Sequence, residues 1–278
     1  RSASMNNMIV RTISGLVYVI MVMVACFSGV YGQVFLACFL SVAAVLEWMQ
    51  FTKDRDLVFP AALIIGVIFL SIYCFTGIFE VPDQQLRWLK GLIVLIIFVL
   101  MSNLAFNSKD VPRNLFHSIF SLVYIGLPMI VLPMLSEYNG QNYPWMLASV
   151  FILIWCNDTF AYLFGRSFGR HKLFERISPN KTWEGFFGGA ISAVVAAFTM
   201  SYFLPFLPLI GWLGLALIVV VFGTIGDLFE SSMKRSFNLK DSGSFMPGHG
   251  GILDRIDSLL FVLPLSYFYL RIIENLPV

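Results

Sequence analysis

The chain of 278 residues is much more apolar than a soluble globular domain, with 58% hydrophobic residues, 12% charged residues and a mean hydropathy of +0.82. Soluble domains carry about 25% charged residues, so the composition indicates a protein whose main solvent is the lipid bilayer. A formal net charge of only +2 excludes the strongly basic surface of a nucleic-acid-binding protein.

Nine apolar stretches are long enough to cross a bilayer, which takes about 20 residues. They lie at 12–30, 33–51, 57–79, 88–106, 115–135, 144–165, 185–208, 211–233 and 254–273. Lipid offers the backbone no hydrogen-bond partners, so spanning segments must be helices or closed barrels. These continuous runs lack the alternation of barrel strands. The sequence therefore predicts an all-α, polytopic integral membrane protein with about nine transmembrane helices, the first two forming a tight helical hairpin.

The chain is expected to divide into four parts. These are residues 1–4, the remnant of an expression tag; residues 5–82, with three spans; residues 83–140, with two spans; and residues 141–278, with four spans. The last part contains two long polar loops, 165–184 and 234–257, whereas most other connections are short. Long polar loops of this kind are more often functional than accidental.

Basic residues lie almost entirely on one side of the predicted membrane. With nine spans, the N-terminus and the even-numbered loops lie on the same side of the membrane. This side holds 15 of the 18 Lys and Arg residues, and the other side holds Arg87, Lys90 and Arg271. Cytoplasmic loops are enriched in Lys and Arg. The N-terminus and both long loops are therefore predicted to be cytoplasmic, in the plasma (inner) membrane.

Acidic residues interrupt the apolar runs of the C-terminal part. Asp158 lies within the sixth run, Asp227 and Glu230 lie near the end of the eighth, and Asp254 and Asp257 begin the ninth. A carboxylate at the centre of a span costs about 2.5–3.5 kcal/mol, so such residues usually face protein or water. Carboxylates that converge repel each other unless a cation lies between them, and oxygen ligands suit Mg²⁺.

Two structural explanations compete with a metal site. Acids near helix ends form salt bridges, and Glu47 near the end of the second run is expected to form one. Acids at a helix start are also favoured by the helix dipole, which would account for Asp254 and Asp257 taken alone.

Basic and small residues surround these acids in both long loops. The second loop carries Lys234, Arg235, Lys240, His249, Gly250, Gly251 and Arg255, and the first carries Ser178, Asn180, Lys181 and Thr182. Glycine lets the backbone approach a phosphate closely, and basic side chains neutralise its charge. A polyanion with a divalent metal is the chemistry that these residue types suit. A surface patch for anionic lipids is the alternative.

Several motifs in residues 155–260 together resemble the phosphatidate cytidylyltransferase (CDP-diacylglycerol synthase) family. They are Ser231-Ser232-Met233-Lys234-Arg235, Lys240-Asp241, Pro247-Gly248-His249-Gly250-Gly251, Asp254-Arg255-Ile256-Asp257, the stretch from Ser178 to Gly185, and Asp158 with Ala161, Tyr162 and Gly165. Met246 is a small departure, since Leu, Ile or Phe is expected there. Over the first 140 residues the resemblance is one of hydropathy alone.

The resemblance implies transfer of CMP from CTP to phosphatidate, giving CDP-diacylglycerol and pyrophosphate with Mg²⁺ as cofactor; a second cation and a homodimer are left open. The implied catalytic residues are Asp227, Lys234, Arg235, Lys240, His249, Asp254, Arg255 and Asp257, of which Asp227, Asp254 and Asp257 hold the metal. The implied substrate-binding residues are Asp158, Ser178, Asn180, Lys181, Thr182, Gly250 and Gly251.

Two other enzyme activities and one other class of membrane protein remain open at this point. A CTP-dependent lipid kinase and an ether-lipid cytidylyltransferase need similar residues, because both handle a nucleotide and a lipid. An ion-coupled secondary transporter also carries intramembrane acids, although usually near the midplane and in repeated halves. Here the acids cluster towards one membrane face and no repeat is visible, which favours an enzyme at the cytoplasmic face.

Overall fold

The computed structural model describes residues 2–52, 119–239, 242–243 and 250–275. The elements are α1 (Ser2–Phe27), α2 (Gly29–Thr52), α3 (Ile119–Met134), β1 (Glu137–Tyr138), β2 (Gln141–Asn142), α4 (Pro144–Phe168), β3 (Lys172–Phe174), β4 (Ser178–Thr182), α5 (Trp183–Phe203), α6 (Leu209–Ser236) and α7 (Leu253–Glu274). Helices α3 and α6 each contain one π-helical turn, Leu122–Gly126 and Val219–Gly223.

Within the described ranges, six helices are long and apolar enough to cross a membrane, namely α1, α2, α4, α5, α6 and α7. The outer face of α5 agrees with this, since Ile191, Val195 and Phe198 are each about 60% exposed. The predicted helical, integral membrane character is confirmed. The predicted spans 57–79 and 88–106 lie outside the described residues, and the described part of the predicted span 115–135, α3, is shorter than a membrane span, so the total of nine stays a prediction.

The predicted tight hairpin joins α1 to α2. Ser28 alone separates the two helices, and Gly29 adopts a φ of +69°, which glycine tolerates without steric cost. A Cβ on Gly32 would lie 2.8 Å from the backbone oxygen of Ala25. Residues seven apart in one straight helix would be about 10 Å apart, so the chain reverses direction at this turn.

Two short β-hairpins add to the helices predicted from hydropathy. In the first, Asn139 and Gly140 have φ values of +51° and +70°, as in the two-residue turns that join tightly paired strands. The second, β3–β4, pairs Lys172 with Thr182 and lies within the segment 165–184, which was predicted as a loop. Its strands have only three and five residues, too few for a clear alternation of polar and apolar positions, so hydropathy alone gives no sign of them.

Close packing of α4 against α5 depends on glycine. A Cβ on Gly189 would lie 2.8 Å from the backbone oxygen of Asn157, and one on Gly185 would lie 2.7 Å from that of Ala161. Small residues let membrane helices approach until their backbones nearly touch. The end of α4 and the start of α5 are thereby held together beside the β3–β4 hairpin.

The two ends of the bundle differ in charge. At one end, β1–β2 meets the end of α7, where the Asn139 amide donates to Glu274 Oε1 (2.6 Å) and Arg271 donates to the Glu137 backbone oxygen (3.3 Å). Towards the other end, the last turns of α4 and the middle of α6 meet the first turns of α5 and α7 and the hairpin β3–β4. Most basic residues of the described C-terminal part lie at this second end.

Candidate active site

A cavity of about 720 Å³ opens where α4, α5, α6 and α7 meet the β3–β4 hairpin. Its wall carries the carboxylates of Asp158, Asp227, Asp254 and Asp257 and the basic side chains of Arg166, Lys172, Lys181 and Arg255. Ser178, Asn180 and Thr182 add neutral polar groups, and Ala161, Tyr162, Leu173 and Phe186 add apolar surface. A wall with this mixture of charges can bind a polyanion together with a cation.

Asp227 and Asp257 share the cavity because α6 and α7 cross very closely. A Cβ on Gly226 would lie 2.5 Å from the backbone oxygen of Asp257. Across the same crossing, Ser258 Oγ donates to the backbone oxygen of Gly223 (3.1 Å). Since Asp227 directly follows Gly226, this contact sets the separation of the two acids.

We expect Gly226→Ala to force α6 and α7 apart and to lower both activity and stability. Over-packing of this kind costs about 1–3 kcal/mol, and a displaced reactive group costs at least about tenfold in rate. Gly223→Ala is the matched control, because its Cβ would meet Ser258 and Val262 at ordinary distances of 3.6–3.8 Å. The melting temperatures and turnover rates of the two variants are measured in detergent and compared with those of wild type. Equal behaviour of both variants would contradict the role given to this crossing.

Asp227 is bridged to the β3–β4 hairpin. Its Oδ2 lies 2.5 Å from Lys181 Nζ, and its Oδ1 accepts a hydrogen bond from Ser231 Oγ (3.2 Å) one helical turn later. The Asp227 and Lys181 side chains are 37% and 25% exposed, so solvent and ligands can reach the pair. The structure therefore brings a predicted metal ligand and a predicted phosphate-binding lysine into direct contact.

Asp158 and Asp257 each receive a hydrogen bond from the neighbouring residue. Asn157 Nδ2 donates to Asp158 Oδ1 (3.2 Å), and the Ser258 backbone amide donates to Asp257 Oδ1 (2.7 Å). A carboxylate has about four lone-pair positions. Both groups therefore retain acceptor capacity towards a cation or a ligand in the cavity.

Local hydrogen bonds fix the hairpin that carries Lys181. Glu184 accepts from the backbone amides of Arg170 (3.1 Å) and His171 (3.2 Å), and its Oε1 lies 2.6 Å from His171 Nδ1. Thr182 Oγ1 caps α5 by accepting from the Gly185 amide (3.2 Å), which satisfies a backbone donor of its first turn. The hairpin is thereby tied to the start of α5, beside the cavity.

Lys234 lies behind the cavity wall, although it was predicted to bind phosphate. Its Nζ lies 2.5 Å from Glu230 Oε2 and 2.6 Å from Asp254 Oδ1, and its side chain is only 12% exposed. Arg235 also lies off the wall and donates to the backbone oxygen of Leu239 (3.3 Å). Among the predicted basic residues that are described, Lys181 and Arg255 are the two that line the cavity.

The predicted metal ligands fit Mg²⁺ only in part. Within the described ranges, no three His, Cys, Asp or Glu side chains are grouped so that they could hold a metal ion by themselves. Both oxygens of Asp254 already accept hydrogen bonds, Oδ1 from Lys234 and Oδ2 from the Ser242 and Gly251 amides (both 3.0 Å). Mg²⁺ is often held by one or two carboxylates with water and substrate phosphates. Asp227 and Asp257 suit that arrangement better than Asp254, because the Asp227 partners are two side chains, whereas two backbone amides and the Lys234 ammonium hold Asp254.

The glycines predicted to approach a phosphate have other contacts. Gly250 adopts a φ of +83°, and neither Gly250 nor Gly251 lines the cavity. A Cβ on Gly251 would overlap Ser242 Oγ and Glu47, so the absence of a side chain there makes room for protein groups. Lys240 and His249 lie outside the described residues, so their roles stay predictions.

Glu47 was expected to form a helix-end salt bridge, and its partners among the described residues are instead backbone amides and a hydroxyl. Glu47 is 2% exposed, and its carboxylate accepts hydrogen bonds from the backbone amides of Ile252 (2.8 Å) and Leu253 (2.9 Å) and from Ser242 Oγ (3.1 Å). These partners are about 200 residues away in sequence, so hydropathy and local spacing could not reveal them.

Comparison with known proteins covers most of the chain. A family model described as the cytidylyltransferase family matches residues 9–273. The phosphatidate cytidylyltransferase of Staphylococcus aureus (strain COL) is 34% identical over 259 residues, covering 92% of this chain and 96% of the relative. Those of Staphylococcus saprophyticus and Staphylococcus epidermidis (strain ATCC 12228) are also 34% identical, with the same coverage. The chain belongs to the cytidylyltransferase family.

For this cytidylyltransferase, the sequence alone had missed two basic residues of the cavity. Arg166 and Lys172 line the wall; Arg166 Nη1 donates to the Tyr162 hydroxyl (3.2 Å) and Lys172 Nζ donates to the Pro179 backbone oxygen (2.6 Å). Both belong to the long polar loop 165–184, which was recognised as a functional region. Which of the basic side chains in this loop face the cavity could not be told before the hairpin was known.

Proposed function

We propose that this cytidylyltransferase transfers CMP from CTP to phosphatidate, forming CDP-diacylglycerol and pyrophosphate. The observation that carries the proposal is the cavity between candidate membrane-spanning helices, whose wall combines four carboxylates with four basic side chains. The similarity to relatives named phosphatidate cytidylyltransferase supports the choice of lipid and nucleotide.

The reaction needs one bond formed and one broken. A phosphate oxygen of phosphatidate attacks the α-phosphorus of CTP, and the bond from that phosphorus to the oxygen bridging the α- and β-phosphates breaks. Pyrophosphate leaves with the bonding electrons. A phosphate monoester is already largely ionised near neutral pH, so the chain need not supply a general base.

The basic side chains of the cavity bind the phosphates in this proposal. Lys181, Arg166 and Lys172 approach from the hairpin side and Arg255 from the first turn of α7. Positive groups placed around transferring phosphates stabilise the negative charge that develops in the transition state. Ser178 and Asn180 line the same wall, and their neutral polar groups would orient the phosphates by hydrogen bonding.

Asp227 and Asp257 would hold Mg²⁺, which supplies charge neutralisation for the phosphates and the leaving pyrophosphate when bound. In the structure Asp227 pairs with Lys181, so a residue that would hold the metal and a lysine that would bind phosphate lie side by side. Asp158, on the same wall, retains acceptor capacity to orient ligands.

The cavity is proposed to face the cytoplasm. It lies at the end of the bundle where most described basic residues of the C-terminal part are found, and such residues are enriched on the cytoplasmic side. CTP would enter from that side, while the phosphate of the lipid lies at headgroup level.

The proposed activity is tested with purified protein in detergent, CTP, phosphatidate and Mg²⁺. We expect pyrophosphate and CDP-diacylglycerol in equal amounts, and neither product when either substrate is omitted. In sealed vesicles, added CTP should be used only when the cytoplasmic face is outward, because CTP does not cross the bilayer. Turnover only with the opposite orientation would contradict the proposed face.

The same experiment separates the alternatives. CDP released together with a newly phosphorylated lipid would indicate a CTP-dependent lipid kinase. Preference for an ether-linked phosphatidate over the acyl form would indicate an ether-lipid enzyme. No turnover of CTP with any phosphorylated lipid, in protein that melts cooperatively, would overturn the proposed function.

A further inference from the structure

Glu47 links the N-terminal helices to the catalytic end of the chain. It lies on α2, outside the elements that line the cavity, and its carboxylate is buried against the start of α7. Oε1 accepts from the Ile252 amide, and Oε2 accepts from the Leu253 amide and from Ser242 Oγ. A buried carboxylate with three donors on two oxygens is a specific, well-satisfied contact.

These contacts supply the N-terminal cap that α7 does not provide for itself. The first amides of a helix have no partner within the helix, and the N-cap residue Ile252 has no side-chain group that could accept from them. A negative charge is also favoured at this end by the helix dipole. Glu47 therefore fixes where α7 begins.

The residues that follow the cap are those of the cavity wall. Asp254, Arg255 and Asp257 all lie within the first five residues of α7. Glu47 therefore helps to position three charged groups of the cavity wall, although Glu47 itself does not line the cavity.

Ser242 extends the connection to Asp254. Its hydroxyl donates to Glu47 and accepts from the Asp254 amide (3.3 Å), while its own amide donates to Asp254 Oδ2 (3.0 Å). Asp254 in turn pairs with Lys234 on α6. A continuous set of contacts therefore runs from α2 through α7 to α6.

The surrounding backbone is shaped to admit the Glu47 side chain. A Cβ on Gly243 would lie 2.7 Å from Glu47 Oε1, and a Cβ on Gly251 would overlap Oε2. Two glycines, one before and one after the segment 244–249, thus lie against the same carboxylate. Alanine at either position would displace Glu47 or the backbone.

We propose that Glu47 is a positioning residue for the transfer reaction, which holds the first turn of α7 so that Asp254, Arg255 and Asp257 are correctly placed. The proposal rests on the proposed function for its kinetic consequence, but the anchoring itself is a property of the fold. It gives the N-terminal helices a defined part in catalysis, because α2 supplies the anchor.

The test uses Glu47→Gln, Ser242→Ala and Ser41→Ala in the full-length protein. A glutamine amide would direct N–H groups towards the N–H groups of the helix start, so at least one hydrogen bond is lost without a change in size. Ser242→Ala removes the hydroxyl, with its bonds to Glu47 and from the Asp254 amide, and leaves the Glu47 carboxylate with its two amide donors. Ser41 is the matched control, since it is 1% exposed on the same helix but donates within α2, to the Ala37 backbone oxygen.

For Glu47→Gln we expect kcat to fall about 10-fold to 100-fold, since misplacement of reacting groups by about 1 Å has an effect of this size. The KM values for CTP and lipid should change by less than about threefold, because no group that contacts the substrates is removed. Ser242→Ala should fall between Glu47→Gln and wild type, and Ser41→Ala should match wild type.

Hydrogen exchange of the peptide that contains Ile252 and Leu253 provides a readout that needs no activity. Faster exchange there in Glu47→Gln, with a melting temperature close to that of wild type, supports the anchor. A Glu47→Gln protein with the hydrogen exchange and kcat of wild type would overturn the proposal. So would a fall in kcat that is fully accounted for by the fraction of unfolded protein. If wild type turns over no CTP, the proposed function fails, and the exchange measurement still decides whether Glu47 anchors α7.

Discussion

Replacement of Asp257 by asparagine is expected to reduce the rate of CMP transfer by about 10³-fold, the size typical for loss of a group that stabilises transition-state charge. Asp257 shares the cavity wall with Asp227, and the close crossing of α6 and α7 at Gly226 fixes their relative position. Asparagine keeps the size of the side chain but removes the charge that would hold Mg²⁺ there. The measurement is pyrophosphate release per folded enzyme, with Mg²⁺ varied.

Glu274→Gln is the control for this substitution. It removes a carboxylate from the other end of the same helix, where Glu274 pairs with Arg271 (2.6 Å), far from the cavity. We expect this variant to keep nearly the activity of wild type. Full activity of Asp257→Asn at saturating Mg²⁺ would show that the metal is held elsewhere and would remove Asp257 from the mechanism.

Replacement of Lys234 by methionine is expected to destabilise the protein strongly. The substitution would leave Glu230, whose side chain is 1% exposed, and Asp254, 12% exposed, without the cation between them. Removing one partner of a buried ion pair costs about 3–5 kcal/mol, a large share of the 5–15 kcal/mol typical of a folded domain. The melting temperature in detergent, followed by tryptophan fluorescence, measures the effect.

The double variant Glu230→Gln/Lys234→Met distinguishes this structural role from direct phosphate binding. With the Glu230 charge also removed, Asp254 keeps its two backbone amide donors, so much of the lost stability should return. A Lys234→Met protein that melts like wild type but has a greatly raised KM for CTP would contradict the ion-pair role. It would restore the phosphate-binding role predicted from the sequence.

Hydropathy was sufficient for the helices because membrane spans are governed by a local quantity. A run of about 20 apolar residues must be helical in lipid whatever its neighbours are, and the described helices fall where these runs were predicted. The β3–β4 hairpin was missed for the corresponding reason. Its strands have only three and five residues, too few for a clear alternation of polar and apolar positions, and Glu184 ties the hairpin to the start of α5 through the Arg170 and His171 amides, contacts that apolar periodicity does not record.

The sequence by itself determined that this is a helical membrane protein of the cytidylyltransferase family, and that Asp158, Lys181, Asp227, Arg255 and Asp257 belong to one polar region. Those conclusions depend on residue type and local spacing. Only the tertiary structure decided that Lys234 is an ion-pair partner, that Arg166 and Lys172 line the cavity, and that Glu47 caps α7. Such roles depend on which side chains helices far apart in sequence bring within hydrogen-bonding distance, and helix packing sets that distance.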